Sequence, residues 1–553
     1  MLINTKQTLM DRFIENENDK NFDIIVIGGG ITGAAVAYAA SSRGLKVALL
    51  EKGDFGGATS AATSKLIHGG LRYLANMEFG LVRESLKERK ILGNIAPNFV
   101  YPIPFMLPNY RKWQGGMWMI MMGMFLYDLL SFDKKDTWDK SKELSNHQTY
   151  RRNKTLRLES NVLKKKLSGS TIFYDYQSIF PERLTLAFIK SAIDYGTQVA
   201  NYAKATSFVE TDNKITGVVV NDLLNNKEIE VNAPLVVNCG GTWADLILNM
   251  ASKGKTINHK VKRSEGIHII TKKMNNDHII SLIKGNGKHL MVMPWRNHTI
   301  IGTTDKEYNG DPDNYKVSRE SIMEVIEDYN KLYGSGEMKY EDVIHAYGGL
   351  RPLVDDQTEG SYESSRKYEV YDNSADGIDG LITVEGGKYT TSRNLAHQVM
   401  EVVQKKLDIN LKDSITYNNY LSGCEIRNME EFMIKLHKQY DAHFQENTVE
   451  YLGRNYGRES KTVFGLALND KSLAEVLTDD GEILAEVHYA IKYEMAKTLN
   501  DIFFRRTGLG TLGHPGEKII DRVINLATSM LNWDKERENK EYDTLSKAFK
   551  LPY

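Results

Sequence analysis

The sequence predicts a mixed fold, α/β plus α+β: a discontinuous α/β domain, an antiparallel β-sheet domain inserted into it, and an all-helical C-terminal domain. Three observations carry this. A short apolar run at 23–27 leads into Gly28-Gly29-Gly30-Ile31-Thr32-Gly33, then a small-residue helix at 34–42 and a second apolar run at 46–50, giving the order β-α-β. Residues 203–210, 215–221 and 228–232 alternate apolar with polar and are separated by polar turns. Beyond about residue 415 the periodicity becomes helical, over 429–440, 483–503 and 517–531. Between these lie a buried-type strand at 235–237, further strands at 266–270, 290–293 and 299–302, and one helix over 319–332. The boundaries expected are 20–100, 181–250 and 376–410 for the α/β domain, 101–180 and 251–375 for the inserted domain, and 411–553 for the helical one.

Composition narrows the function classes. With 553 residues, 71 Lys+Arg against 72 Asp+Glu and a net charge of −1, the chain lacks the basic excess of a dedicated nucleic-acid binder. Two cysteines, Cys239 and Cys424, cannot build a disulfide framework and fit a reducing compartment. The first twenty residues contain no secretory h-region. A mean hydropathy of −0.41 argues against a polytopic membrane protein. One feature stands apart: residues 117–127 are rich in Met and free of charge, yet shorter than the ~20 apolar residues of a spanning helix. Core packing and a lipid-facing surface are both open to this run. No histidine or cysteine cluster has metal-ligand spacing, and no P-loop or nucleophile elbow is found.

The glycine fingerprint makes the α/β domain Rossmann-like. Gly28 permits the tight turn, Gly30 lets backbone approach a pyrophosphate, and Gly33 allows close helix–strand packing, with Thr32 in the first helical turn. Glu51 ends the next strand about 20 residues on, where a carboxylate accepts from ribose hydroxyls and disfavours a 2′-phosphate. Lys52 adjoins it. Then comes a small-residue stretch with Thr59, Ser60, Ser64 and Lys65, followed by Leu66-Ile67-His68-Gly69-Gly70-Leu71-Arg72. Small side chains admit a bulky ligand, and hydroxyls and Lys65 offer partners for phosphate or ring heteroatoms.

Residues 58–74, read with the fingerprint, resemble the FAD-dependent glycerol-3-phosphate dehydrogenase family of the D-amino-acid-oxidase-like flavoproteins. Asn238-Cys239-Gly240-Gly241-Thr242-Trp243 is similar to the family's second FAD-contacting segment, departing from it at Cys239 and Gly240. Gly348-Gly349-Leu350-Arg351-Pro352-Leu353, Gly386-Gly387-Lys388-Tyr389-Thr390-Thr391 and Arg505-Arg506-Thr507 resemble further family motifs in the same order. The resemblance implies FAD held by Gly28, Gly30, Thr32, Gly33, Glu51, Lys52, Thr59, Ser60, Ser64, Lys65, Leu66, His68, Gly69, Gly70, Gly240, Trp243, Gly387, Lys388 and Thr390. It places His68, His268, Arg72, Arg351 and Lys388 around substrate and flavin. It implies oxidation of sn-glycerol 3-phosphate to dihydroxyacetone phosphate, with hydride passing from C2 to flavin N5.

Residue chemistry fits that expectation. Arg351 sits in apolar company and needs a counter-charge; a bidentate phosphate supplies one, as would a salt bridge to Asp355 or Asp356. Arg72 follows His68 by four residues, so on a helix the two share a face. Arg366 is a third phosphate candidate or a surface pair. A histidine suits removal of the hydroxyl proton, and His68 and His268 are equal candidates. Lys388 follows two glycines at a helix start, where N–H groups stabilise negative charge on the flavin.

Family members of the dehydrogenase branch pass electrons to a quinone and sit peripherally on the inner face of the cytoplasmic membrane. The Met-rich run and the basic stretch 253–263 are expected to serve that contact. The rivals are a glycerol-3-phosphate oxidase using oxygen, an amino-acid oxidase, and a flavin-binding scaffold without turnover. A homodimer is left open.

Overall fold

The computed structural model describes residues 10–16, 20–75, 77–110, 116–254, 259–284, 288–334, 336–354 and 368–552. Its first layer is a six-stranded sheet in the order Tyr368–Asp372, Leu381–Gly386, Val236–Asn238, Ile24–Ile27, Val47–Leu50, Gln198–Ala200, parallel except for the first strand. The strands read as unbroken apolar runs because both faces are covered. Ile24 and Val26 face helices Ile31–Ser41, Pro181–Asp194 and Ser392–Leu407. Ile25 and Ile27 face the other way, onto the antiparallel sheet Ala203–Thr211, Lys214–Asp222, Lys227–Asn232.

The second large sheet has ten strands, built on Val261–Lys272, which pairs with His345–Val354 on one side and His298–Gly302 on the other. It is antiparallel except where Ile279–Ile283 meets Val100–Tyr110 in parallel. Helix Arg319–Leu332 packs Ile322, Val325 and Ile326 on one face. Two segments cross the expected boundaries: Leu66–Ile67 joins this ten-stranded sheet, and Tyr368–Asp372 returns to the parallel one. The basic stretch splits up as well: Lys253 pairs with Glu210 and Arg263 with Asp245, while residues 255–258 lie outside the described residues.

The Met-rich run forms helix Gly116–Leu130, with one face packed into the core and the other exposed. Met124 and Tyr127 are buried, while Met119, Met122, Phe125 and Leu129 face outward, Met122 being 72 % exposed. Among the described residues no helix is long and apolar enough to cross a membrane.

The C-terminal helices, including Met429–Tyr440, Glu446–Tyr456 and Glu517–Leu531, enclose their own apolar core. The helix expected over 483–503 is split. Leu484–Tyr493 ends, Met495 takes φ +58°, and a wide turn Asp501–Arg506 follows. The break exists because Glu494 is pulled inward: its carboxylate accepts from Arg183 at 2.9 and 3.0 Å and from Lys190 at 2.8 Å. Nearby, Asp54 accepts from Arg505 Nε at 2.6 Å and from both Arg506 Nη atoms at 2.8 Å. Burial pushes both carboxyls up, but the adjacent cations win and hold Glu494 down at about 2 and Asp54 well below its usual range.

Removing one member of such a buried pair leaves an uncompensated charge. Glu494→Gln is therefore expected to lower the unfolding free energy by about 3–5 kcal/mol at pH 7. Because the folded pKa is depressed, this contribution is full above the ordinary value of 4.5 and fades as pH falls towards about 2. Urea titrations of parent and variant at fixed pH values across that window should converge at the acid end.

Candidate active site

The strand Ile24–Ile27 ends at Gly28, whose φ of +105° suits only glycine; a Cβ there would sit 2.5 Å from the Cys239 carbonyl oxygen. A Cβ on Gly33 would overlap the Gly28 carbonyl oxygen, so the helix packs directly on the turn. Gly30 caps helix Ile31–Ser41 with no side chain of its own, and Ser60 Oγ accepts the Ile31 N–H at 2.9 Å. The glycine turn and first helical residues open on a cavity of about 2240 Å³ that runs to the ten-stranded sheet.

Glu51 reaches the cavity wall with its carboxylate accepting from Gly29 N–H and Gly53 N–H, each at 2.7 Å. Burial lifts its pKa, opposed by those two amides. Lys52 lies 3.9 Å over the Trp243 ring and pairs with Asp313, which also accepts from Trp243 Nε1 at 2.9 Å. This clasp ties the two large sheets together at one end. At the other, Gly387 takes φ +95° and Lys388 caps the turn that starts helix Ser392–Leu407. A glycine turn at a helix start, a carboxylate at the end of the next strand and a glycine-lined second helix start fit an extended dinucleotide.

Towards the ten-stranded sheet the wall becomes cationic. Arg351, on His345–Val354, donates to Thr303 Oγ1 at 2.6 Å, to Thr304 O and Glu265 O at 3.2 Å, and stands 3.7 Å from Asp305. Arg72 and Lys388 flank Tyr73, 4.8 and 4.6 Å from its ring centre, and Lys388 donates to Ser85 Oγ at 2.7 Å. His268 bonds Ser64 Oγ at 2.8 Å through Nε2 and stacks on Tyr347 at 5.0 Å. His68 Nδ1 accepts the Gly70 N–H at 3.0 Å. Burial, then nearby cations, push both imidazoles down: His268 to about 3, helped by Arg351 and Lys65, and His68 to about 4, where Asp175 opposes Lys388, Arg72 and Arg89. Both rings are neutral at pH 7, and the His68 ring, with Nδ1 accepting, carries its proton on Nε2.

The cavity wall gathers Gly28, Gly30, Thr32, Glu51, Lys52, Thr59, Ser60, Ser64, Leu66, His68, Gly70, Arg72, Gly240, Trp243, His268, Arg351, Gly387, Lys388 and Thr390. Three expected cofactor residues are not on it. Lys65 turns away, its buried ammonium donating to Glu182 at 3.1 Å. Gly69 lies behind the wall against Leu86 and Tyr127, and Gly33 acts only in packing. His68 and Arg72 share no helix either: the short helix Arg72–Ala75 starts after His68, and both reach the cavity separately. Arg366, Asp355 and Asp356 lie outside the described residues. The wall also holds Tyr73, Asp175, Lys288, His289 and Arg505, none of them among the expected site residues. Tyr73 adjoins Arg72 and Arg505 opens the Arg505-Arg506-Thr507 motif, so both were legible; Asp175, Lys288 and His289 carry no local motif.

Comparison with known proteins gives a consistent picture. The family model described as "FAD dependent oxidoreductase" matches residues 23–393, and that described as "C-terminal domain of alpha-glycerophosphate oxidase" matches 414–538. A glycerol-3-phosphate dehydrogenase of Synechocystis is 32 % identical, over 96 % of this chain and 97 % of that one. An aerobic glycerol-3-phosphate dehydrogenase of Bacillus subtilis is 30 % identical, over 97 % and 96 %. The fold is shared with the FAD-complexed glycerol-3-phosphate dehydrogenase of Bacillus halodurans, at TM-score 0.78 and 24 % identity, covering 97 % and 96 % of the two chains. The fingerprint turn, the cation-lined cavity and full-length likeness together place this chain in the FAD-dependent oxidoreductases, in the glycerol-3-phosphate dehydrogenase family.

Proposed function

We propose that this protein oxidises sn-glycerol 3-phosphate to dihydroxyacetone phosphate and passes the electrons to a membrane quinone. The observation that carries the reading is one cavity wall holding Arg351, Arg72 and Lys388 beside two neutral histidines, at the far end of a dinucleotide site. Bound FAD supplies the hydride acceptor. Arg351 and Arg72 bind the phosphate, a dianion that a planar guanidinium grips through two parallel bonds. Lys388 orients the substrate, and the amides where its helix starts favour negative charge beside it. His68 or His268 takes the hydroxyl proton, each held neutral by burial and by those cations.

The acceptor side is supported by the rest of the cavity. Leu107, Ile120, Met124, Leu126 and Met291 line an apolar arm under helix Gly116–Leu130. The outer face of the same helix exposes Phe125 and Leu129, which offers an apolar acceptor a surface to approach. Peripheral contact of this face with the inner side of the cytoplasmic membrane completes the reading.

Anaerobic addition of sn-glycerol 3-phosphate should bleach the oxidised flavin spectrum; a spectrum that persists sinks the proposal. Admitting oxygen or a quinone analogue then tells oxidase from dehydrogenase, the quinone restoring colour faster. Arg351→Ala should raise KM about 10–100-fold, the worth of charge-assisted hydrogen bonds of about 1.5–3 kcal/mol. Whichever of His68→Gln and His268→Gln removes the base should slow flavin reduction by about 10²–10⁴. Phe125→Asp with Leu129→Asp should cut co-sedimentation with anionic vesicles at least tenfold, since each buried side chain contributes about 1.5–3 kcal/mol, while bleaching by substrate persists.

A further inference from the structure

Strand Leu167–Ser178 places Asp175 beneath the corner at 67–70, almost wholly buried. Three elements meet on its carboxylate. Arg89 of helix Phe79–Ile95 donates to Oδ1, and Tyr127 Oη of helix Gly116–Leu130 donates to Oδ2 at 2.8 Å. The Gly69 N–H also points at Oδ1, at 3.4 Å. Gly69 has no room to shift, since even a Cβ there would overlap Leu86 and the Tyr127 hydroxyl. Its neighbour Gly70 fixes the His68 ring by donating to Nδ1 at 3.0 Å. The knot of Asp175, Arg89 and Tyr127 therefore grips the backbone that orients His68.

We infer that Asp175, fixed by Arg89 and Tyr127, is a positioning residue for His68: it anchors the Gly69–Gly70 backbone and sets a carboxylate beside an imidazole otherwise faced by cations. The groups facing the ring are Lys388, Arg72 and Arg89, which disfavour its protonation, and Asp175, which favours it. With Nδ1 accepting from Gly70 the neutral ring presents Nε2–H; a second proton enters at Nδ1 in exchange for that bond, and the carboxylate offsets part of its charge without leaving its own partners. The inference rests on the proposed function for its effect on rate, and on geometry alone for the anchor.

The test compares parent, Asp175→Asn and Tyr127→Phe holoenzymes. Asparagine keeps the shape and removes the charge; phenylalanine removes one hydroxyl and leaves the fold intact. In Asp175→Asn the rate of flavin reduction per bound flavin at saturating glycerol 3-phosphate should fall about tenfold or more, with KM changed less than about threefold. Its acid limb should move to lower pH, because the charge that favoured the imidazolium is gone. Tyr127→Phe should lose about threefold in the same direction. Hydrogen exchange over residues 66–71 should quicken in both variants, with residues 381–386 as the unchanged control. Unchanged exchange at 66–71 overturns the anchor. Faster exchange with an unaltered rate and pH profile reduces Asp175 to packing and overturns its positioning role. A parent enzyme that the substrate does not bleach counts instead against the proposed function, and the exchange comparison still decides the anchor.

Discussion

Gly28 turns the chain at φ +105° with the Cys239 carbonyl oxygen 2.5 Å from where a Cβ would lie, and the corner leaves room for hydrogen alone. Gly33 packs back onto the same turn, so helix Ile31–Ser41 starts where the strand stops and its first amides open on the cavity. The following loop is then held from both sides. Glu51 is gripped by the Gly29 and Gly53 amides, and Asp54 by Arg505 and Arg506 from the C-terminal domain. Arg505 itself reaches the cavity wall. The helical domain is thus a buttress of the dinucleotide site rather than an appendage. Further along the loop, Thr59 Oγ1 donates to Leu350 O at 2.7 Å, one residue before Arg351. A single glycine corner therefore sets the spacing between the pyrophosphate-directed amides and the cationic end.

At that end one set of charges does two things. Burial alone lowers the pKa of an imidazole, and here Lys388, Arg72 and Arg351 add to it. In a low-dielectric cavity such charges act strongly on one another. An arrangement suited to a phosphate dianion is for the same reason one in which histidine waits unprotonated. Binding the dianion offsets the cations and makes protonation of the ring easier than in the empty site, so substrate binding in the proposed reading primes the proton acceptor.

Much of this was legible from sequence, and the failures have physical causes. The fingerprint is local: turn, helix start and Glu51 follow from backbone geometry that glycine and carboxylate dictate. Helices Arg319–Leu332, Met429–Tyr440 and Glu517–Leu531 fall where periodicity puts them, since each buries one stripe. Strand Val100–Tyr110 carries Pro102, Pro104 and Pro108, residues that a linear pattern does not assign to a strand. They occupy alternate positions and so share one edge, leaving the ladder to Leu167–Ser178 intact on the other. The break after Tyr493 was hidden because apolar spacing continues through it; what ends the helix is Glu494 meeting Arg183 and Lys190 some 300 positions earlier in the chain. Lys65, expected beside phosphate or ring heteroatoms, donates to Glu182 across 117 positions, and Asp175 carries no motif. Long-range ion pairs are what a linear pattern cannot see.

Helix Gly116–Leu130 shows how far one element can serve opposed demands. Its inner face lines the apolar arm of the cavity and delivers the Tyr127 hydroxyl to Asp175. Its outer face leaves Met119, Met122, Phe125 and Leu129 exposed, an arrangement that costs solubility unless something apolar meets it. A charged substrate and a lipid-soluble acceptor cannot share one approach, because walls that welcome one repel the other. The cavity holds walls of both kinds, cations at Arg351, Arg72 and Lys388 and apolar side chains such as Ile120, Met124 and Leu126. In the proposed reading a net charge of −1 is compatible with phosphate binding for the same reason: the selectivity lies in where a few arginines stand, and the rest of the surface need not be basic.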